Sequence, residues 1–186
     1  MPKTQRDDAV LITGTSSGIG KETALHLDRL GLRVFATVRK QPDAVALSSQ
    51  ASESLCPIIL DVTDQGSIDL ARNQVAHSIG EEGLTGLVNN AGVGFTAPLE
   101  FVPLQDLRWL FEVNVFGVLA VTQAFLPLLR QTRDRIVNVS STAALLVAPF
   151  YGRYSASKLS LNGLSNAFRL ELGPRACESR LLSAAA

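Results

Sequence analysis

Ala9-Val10-Leu11-Ile12-Thr13-Gly14-Thr15-Ser16-Ser17-Gly18-Ile19-Gly20 is the stretch on which the fold turns. It opens as a short apolar run that stops at a glycine, the pattern of a buried parallel strand. From Gly18 to Leu30 the period becomes helical, with Ile19, Thr23, Leu27 and Leu30 on one face, and Gly31 stops it. Between the two lies a loop with three glycines. Gly14 permits a sharp turn, Gly18 lets backbone approach a ligand, and Gly20 lets the helix pack close to the sheet. The helix start offers unpaired N–H groups and a partial positive charge to an anion. The spacing departs from G-x-G-x-x-G, but the strand–loop–helix context is that of a pyrophosphate cradle. Gly14, Ser16, Ser17, Gly18, Ile19 and Gly20 are its expected residues.

Outward from this loop the chain alternates between strands and helices. Arg33–Val38 reads as a second strand, a helix-capable stretch runs from about Asp43 to Gln50, and Ile58–Leu60 is a third strand ending at Asp61. Ser67–Ile79 reads as a helix with Ile68, Val75 and Ile79 as its apolar stripe. Leu84–Val88 is a fourth strand running into Asn89-Asn90-Ala91-Gly92. Leu104–Leu129 is a long helix apolar on most faces, which belongs in a core or a subunit interface. Arg135–Val139 is a fifth strand, and Tyr154–Leu172 a helix with Leu161, Leu164, Phe168 and Leu172 at helical spacing. Strands alternating with helices imply an α/β, Rossmann-like, doubly wound parallel sheet with ligands beyond the carboxyl ends of the strands.

Composition bounds the rest. The 186 residues make one domain, 1–186, with a polar tail over 1–8; Lys and Arg number 17 and so do Asp and Glu. Zero net charge disfavours a nucleic-acid partner. Hydrophobic residues make up 46% and charged residues 18%, a globular balance. Cys56 and Cys177 form neither a disulfide framework nor a metal set, and His26 and His77 lack ligand spacing, so no metal is expected. The polar N-terminus shows no signal peptide, and the most apolar stretches are interrupted short of a membrane span. The expectation is a soluble cytoplasmic chain with no transmembrane segment.

At the end of the second strand stand Arg39 and Lys40, with no carboxylate to accept from a ribose 2′-hydroxyl. Arg39 offers a planar fork suited to a 2′-phosphate, which weighs NADP over NAD. Asp61 either hydrogen-bonds the adenine amine or serves as a cap or turn residue, with Val62 beside it.

Gly14-x-x-x-Gly18-x-Gly20, Asn89-Asn90-Ala91-Gly92, Asn114, Ser140-Ser141 and Tyr154-x-x-x-Lys158 occur in order at compatible spacing. This set resembles the short-chain dehydrogenase/reductase family, from about Val10 to Leu172, and its steroid- and retinoid-acting branches in particular. The resemblance implies hydride transfer between NADP(H) and a carbonyl or secondary alcohol, with Tyr154 as general acid/base. Tyr154 and Lys158, four apart, share a helix face, where the cation stabilises a phenolate. Lys158 would also hold the nicotinamide ribose. Ser141, thirteen residues before Tyr154, would bind the substrate oxygen, with Ser140 the competitor and Tyr151 excluded because Ser155 follows it by four. Asn114 would hold a water relayed to the lysine, or else make a structural hydrogen bond. Asn90 is expected to bond across strands, with Ala91 and Gly92 leaving room for cofactor. The apolar run Ala143–Phe150 suggests a wall for a lipophilic small-molecule substrate.

The family continues past this last helix with a sixth strand, a helix and a seventh strand. Only fourteen residues, 173–186, follow Leu172, and they lack a β-branched run. The expectation is a sheet ending at the fifth strand, with the last strands of the family fold missing. The alternative function is a catalytically impaired, shortened relative that binds nucleotide or dimerises; a homo-oligomer is expected in either case.

Overall fold

The computed structural model describes residues 8–132 and 135–172, and the backbone of 178–184. Most of the polar N-terminal tail, Cys177 and part of the atypical tail after Leu172 lie outside the described residues. Six strands form one parallel sheet in the order β3-β2-β1-β4-β5-β6. They are β1 (Ala9–Ile12), β2 (Arg33–Val38), β3 (Leu55–Ile59), β4 (Gly86–Asn89), β5 (Arg135–Ser141) and β6 (Glu178–Ala184). The helices are α1 (Gly18–Arg29), α2 (Gln41–Ser48), α3 (Gln65–Ile79), α4 (Leu104–Phe111), α5 (Gly117–Thr132) and α6 (Gly152–Leu172). The chain steps outward from β1 to β3, then crosses back to place β4 on the other side of β1. That reversal opens a crevice at the carboxyl ends of β1 and β4.

Period-two alternation sorts the strand side chains between two cores. Leu11, Phe35, Ile58 and Ile136 pack with Ile68 and Val75 of α3 and Val121 and Phe125 of α5. Val10, Ile12, Val34 and Ala36 pack with Ala24 and Leu25 of α1 and Leu47 of α2. On the α1 side Val88, Val137 and Val139 are only half-buried, whereas Asn89, Ile136, Asn138 and Ser140 on the opposite side are buried.

Three expectations need correction. The sheet does not end at the fifth strand: β6 pairs in parallel with β5 from Arg135↔Glu178 to Ser141↔Ala184. An exposed strand edge pairs through backbone N–H and C=O groups, which need no β-branched run. The long helix is not continuous, because Glu112–Phe116 forms a π-helical turn between α4 and α5. Finally, Leu104–Thr132, a helical run of 29 residues, is long and apolar enough to cross a membrane by length and composition alone. Over half of its most apolar window is nevertheless buried, with Val121, Phe125 and Leu129 fully enclosed, which is the setting of a core helix.

Candidate active site

The crevice between β1 and β4 opens into a cleft of about 340 Å³, whose lining includes Gly14, Ser16, Ser17, Ile19, Arg39, Asp61, Val62 and Asn90–Gly92. Gly14 has φ +70°, and a Cβ there would stand 2.8 Å from the Ala91 Cα. Gly18 also has positive φ, +57°, with nothing within 4 Å of its missing Cβ, so its freedom serves the turn and leaves open space above the helix start. At Gly20 a Cβ would run into the Asn90 amide and the Gly14 carbonyl. The loop is held from below: Thr13 N–H donates to the Val88 carbonyl at 2.9 Å, and Thr15 N–H to the Thr37 carbonyl at 2.9 Å. Ser17 caps α1 without a side-chain hydrogen bond, and no acid stands in the first turn. The helix N–H groups are thus left to an anion.

Asn90 bonds from the end of β4 across to the end of the neighbouring strand β1. Its Nδ2 donates to the Thr13 and Gly14 carbonyls at 3.0 and 2.9 Å, fastening the glycine loop to the end of β4. Asn89 bonds toward the other neighbour, β5, where its Nδ2 donates to Asn138 Oδ1 at 2.8 Å, and it also reaches Thr122 Oγ1 of α5 at 3.0 Å. Neighbouring residues at a strand end point to opposite faces, so the two asparagines divide these tasks. Arg39 is exposed at the cleft edge and makes no hydrogen bond or ion pair among the described residues. Asp61 uses Oδ1 in a turn, accepting from Thr63 N–H at 2.9 Å and from the Thr63 hydroxyl at 2.7 Å. Asp64, not Asp61, caps α3.

A second pocket, about 220 Å³, adjoins this cleft and shares Ile19, Asn90, Gly92 and Val93 with it; its own wall includes Ser141, Tyr154 and Lys158. Helical spacing sets Lys158 beneath Tyr154, with Nζ 5.8 Å from the ring centroid. Lys158 is buried and donates to the Val139 carbonyl at 2.8 Å. Burial pushes its pKa down from 10.5 to about 8. Ser141 ends β5 and accepts from Ala143 N–H at 3.1 Å, which leaves its own proton free to donate. Ser140 points away and donates to Asn162 Oδ1 at 2.7 Å.

Asn114 stands behind this pocket, fully buried in the π-helical turn. Its Oδ1 accepts from Val93 N–H at 2.8 Å, and its Nδ2 donates to the Val93 carbonyl at 2.8 Å and to Ser157 Oγ at 3.0 Å. Ser157 in turn donates to the Tyr154 carbonyl at 2.8 Å. Asn114 therefore clamps the segment after β4 onto the first turn of α6. Gly92 is what lets the parts meet, since a Cβ there would lie 3.3 Å from Asn114 Oδ1 and 3.5 Å from Lys158 Nζ.

Sequence reasoning missed two features. Asn138 Nδ2 continues the Asn89 network to Ser165 Oγ at 2.8 Å, a buried polar ladder whose only signal was asparagine inside an apolar strand. Arg153, next to Tyr154, is buried and lines a third cleft; nothing in the sequence marked it. Ala143–Phe150 is largely an exposed apolar rim: Leu145, Leu146, Val147 and Phe150 are all open to solvent, as are Phe95, Leu99 and Phe101 on the facing segment.

Comparison with known proteins places these features in a family. A family model described as short chain dehydrogenase matches residues 8–179. Retinol dehydrogenase 16 of Homo sapiens is 43% identical over 168 residues, covering 90% of this chain and 53% of that protein. Estradiol 17-beta-dehydrogenase 2 of Mus musculus is 42% identical over 168 residues, covering 88% of this chain and 44% of that one. The chain thus spans about half the length of the curated relatives it matches. Among solved structures, 3-ketoacyl-(acyl-carrier-protein) reductase of Brucella melitensis, complexed with NADH, superposes with a TM-score of 0.91 at 26% identity, over 96% of this chain and 75% of that one. A match that begins one residue before β1 and runs into β6 takes in the glycine loop, the asparagines after β4 and the Tyr154–Lys158 pair together, and the chain belongs to the short-chain dehydrogenase family.

Proposed function

We propose that this chain binds NADP(H) in the crevice and moves hydride between it and a carbonyl or secondary-alcohol carbon of a lipophilic small molecule. The observation that carries this reading is the convergence of Ser141, Tyr154 and Lys158 on a pocket that shares a wall with the nucleotide-sized cleft. The cleft suits a dinucleotide because its helix N-terminus is uncapped and its glycine loop leaves open space. The N–H groups after Ser16 would take the pyrophosphate, Arg39 a 2′-phosphate, Asp61 and Val62 the adenine end, and Asn90–Gly92 the nicotinamide side. When bound, the cofactor supplies or accepts the hydride. Preference for NADP rests on the exposed, unpaired Arg39 and the lack of a carboxylate at the end of β2.

The chain's own residues handle the proton. In reduction the Tyr154 hydroxyl gives its proton to the substrate oxygen as the carbon receives hydride; in oxidation it takes that proton back. The phenolate left behind faces the Lys158 ammonium, worth about 3 kcal/mol at this separation and an effective dielectric of about 20. Ser141 donates to the same oxygen and stabilises the charge that develops on it. Asn114 holds α6 and the segment after β4 in register, so that these groups keep their geometry.

The lipophilic character rests on the exposed apolar rim beside Tyr154, and retinol and estradiol in the names of two relatives point the same way. Titration of the chain with NADPH and NADH by fluorescence, followed by turnover on lipophilic ketones and secondary alcohols, tests the proposal. Saturable NADPH binding with turnover supports it. Binding without turnover favours the second reading, a nucleotide-binding protein that self-associates. That reading draws on exposed Leu104, Phe116, Leu159 and Leu170 along the long helices, and a monomeric mass in solution would count against it.

A further inference from the structure

Three charged side chains are buried among the described residues: Asp28, Arg153 and Lys158. Asp28 is satisfied by Ser52, from its N–H at 2.9 Å and its hydroxyl at 2.5 Å. Lys158 belongs to the catalytic pocket. Arg153 is 7% exposed, yet its guanidinium makes a single hydrogen bond, from Nε to the Phe95 carbonyl at 3.1 Å. Its Cζ stands 5.3 Å from the Phe95 ring centroid, and neither Nη has a hydrogen-bond partner among the described residues. No carboxylate pairs with it among the described residues. It also sits in the first turn of α6, where the positive end of the helix dipole opposes a cation. The side chain is largely enclosed while its Nη end still opens to the cleft. The charge is thus held in reduced hydration against its helix dipole without an acid, and both costs fall when an anion binds there.

The place where an anion would bind is on hand. Arg153 lines a cleft of about 530 Å³ together with Gly94, Phe95, Thr96, Tyr151 and Tyr154. That volume is in the range of small-molecule sites. Tyr154 lines both this cleft and the catalytic pocket, so one side chain is shared between the two. No acidic residue lines it. Its loop is pinned to the start of α6, where Ala97 N–H donates to the Phe150 carbonyl at 3.0 Å and Phe150 holds a strained φ of +71°.

We propose that Arg153 is a specificity-determining residue that grips the carboxylate of an amphiphilic substrate. The two Nη groups present parallel N–H donors, the arrangement that matches a carboxylate. The exposed side chains of Phe95, Leu145 and Phe150 take the apolar body. The substrate class is then an oxo- or hydroxy-acid with a lipophilic chain, one subset of the lipophilic carbonyls and alcohols that the proposed function covers. A single guanidinium amid apolar walls suits a monoanion with one tail better than a phosphate, which calls for more donors. The inference rests on the proposed function insofar as Tyr154 is the reacting group of this site.

The test reads binding without turnover, so the two readings fail separately. Trp109 is the chain's single tryptophan, and its ring centroid lies 5.7 Å from that of Phe95, so its fluorescence reports on this cleft. The full chain is titrated with decanoate, methyl decanoate and decan-1-ol. Decanoate is expected to bind at least about tenfold tighter than the ester or the alcohol. Arg153→Met should erase that preference, and Arg153→Lys should keep part of it; a far-UV circular dichroism spectrum and urea midpoint matching wild type show that each variant is folded. Equal affinities for decanoate and its ester in the wild-type chain overturn the proposal, as does a preference that survives in folded Arg153→Met. Should Arg153→Met not fold, the wild-type comparison and Arg153→Lys still decide.

Discussion

The two halves of the sheet build their sites from different materials. On the side of β1–β3 the cleft is made largely of backbone: a glycine loop, an uncapped helix start, and an exposed Arg39 with no hydrogen bond or ion pair among the described residues. On the side of β4 and β5 the site is made of buried polar side chains bonded to one another and to backbone: Asn114 to the Val93 backbone and to Ser157, Asn89 to Asn138, Lys158 to the Val139 carbonyl. A nucleotide is large and brings its own charge, so the first half needs only shape and donors. Proton transfer needs fixed geometry over fractions of an ångström, so the second half fixes its groups by hydrogen bonds. Changes in the β4–β5 half should therefore register in the free protein or in turnover, and changes in the β1–β3 half only when nucleotide is present.

The largest effect falls where the two halves meet. Tyr154→Phe removes one hydroxyl from a half-buried ring and leaves both the glycine loop and the Lys158–Val139 bond intact. Turnover is expected to fall by about 10³-fold, while NADPH affinity stays within about threefold. Steady-state kinetics and a nucleotide titration on the same preparation check both arms. Near-normal turnover in the Phe variant would sink the assignment of Tyr154 as the proton carrier.

Lys158 comes next, and here the free protein is the reporter. Its folded pKa of about 8 lies below the ordinary 10.5, because burial penalises the cation. Below pH 8 both the folded and unfolded chains hold the proton, and the folded state bears the full desolvation cost. Between about pH 8 and 10.5 the unfolded chain binds more protons than the folded one, so stability rises with pH. The gap between the two values corresponds to about 3 kcal/mol. Urea midpoints measured from pH 7 to 10.5 should show the wild-type chain gaining on Lys158→Met across that window. A difference between the two chains that stays constant with pH would show that Lys158 is not penalised by burial.

Asn114→Ala should cost about 2 kcal/mol of stability, because both the N–H and the carbonyl of half-buried Val93 lose their partner, as does buried Ser157 Oγ. Denaturant unfolding measures this directly, and nucleotide present at saturation should not restore the loss. A variant as stable as wild type would mean that the clamp across the π-helical turn is dispensable.

What the sequence makes legible follows from the range of each signal. Apolar periodicity is local, so β1–β5 and the main helices could be read with boundaries only slightly displaced. The glycine loop was equally legible, since strand, turn and helix start are contiguous. The sixth strand was not, because an edge strand pairs by backbone and leaves no required pattern in Glu178–Ala184. The π-helical turn was hidden as well: one extra residue in a turn barely disturbs an apolar period, and only the polar Asn114 marked the place. Asn89 and Asn90 were both visible, but which of them faced the sheet and which the loop depends on the phase at the end of β4. Arg153 carried no signal at all. Its burial comes from Phe95, which lies 58 positions away along the chain.

Arg39 offers the smallest effect and the sharpest test of the contrast between the halves. It is exposed and makes no hydrogen bond or ion pair among the described residues, so Arg39→Ala should leave the urea midpoint unchanged within error. Its role, if the cleft takes NADPH, is confined to one phosphate at the cleft rim, where solvent screens the charge. The expected cost is about tenfold in NADPH affinity with NADH affinity unaltered, and the NADPH deficit should shrink as salt is raised. Arg39→Asp should go further by repelling the phosphate and accepting from a ribose hydroxyl, which turns the preference toward NADH. Equal losses for both nucleotides would instead mean that Arg39 supports the shape of the rim. The β1–β3 half would then share the side-chain architecture of its neighbour, and NADP preference would have to be sought elsewhere along the cleft.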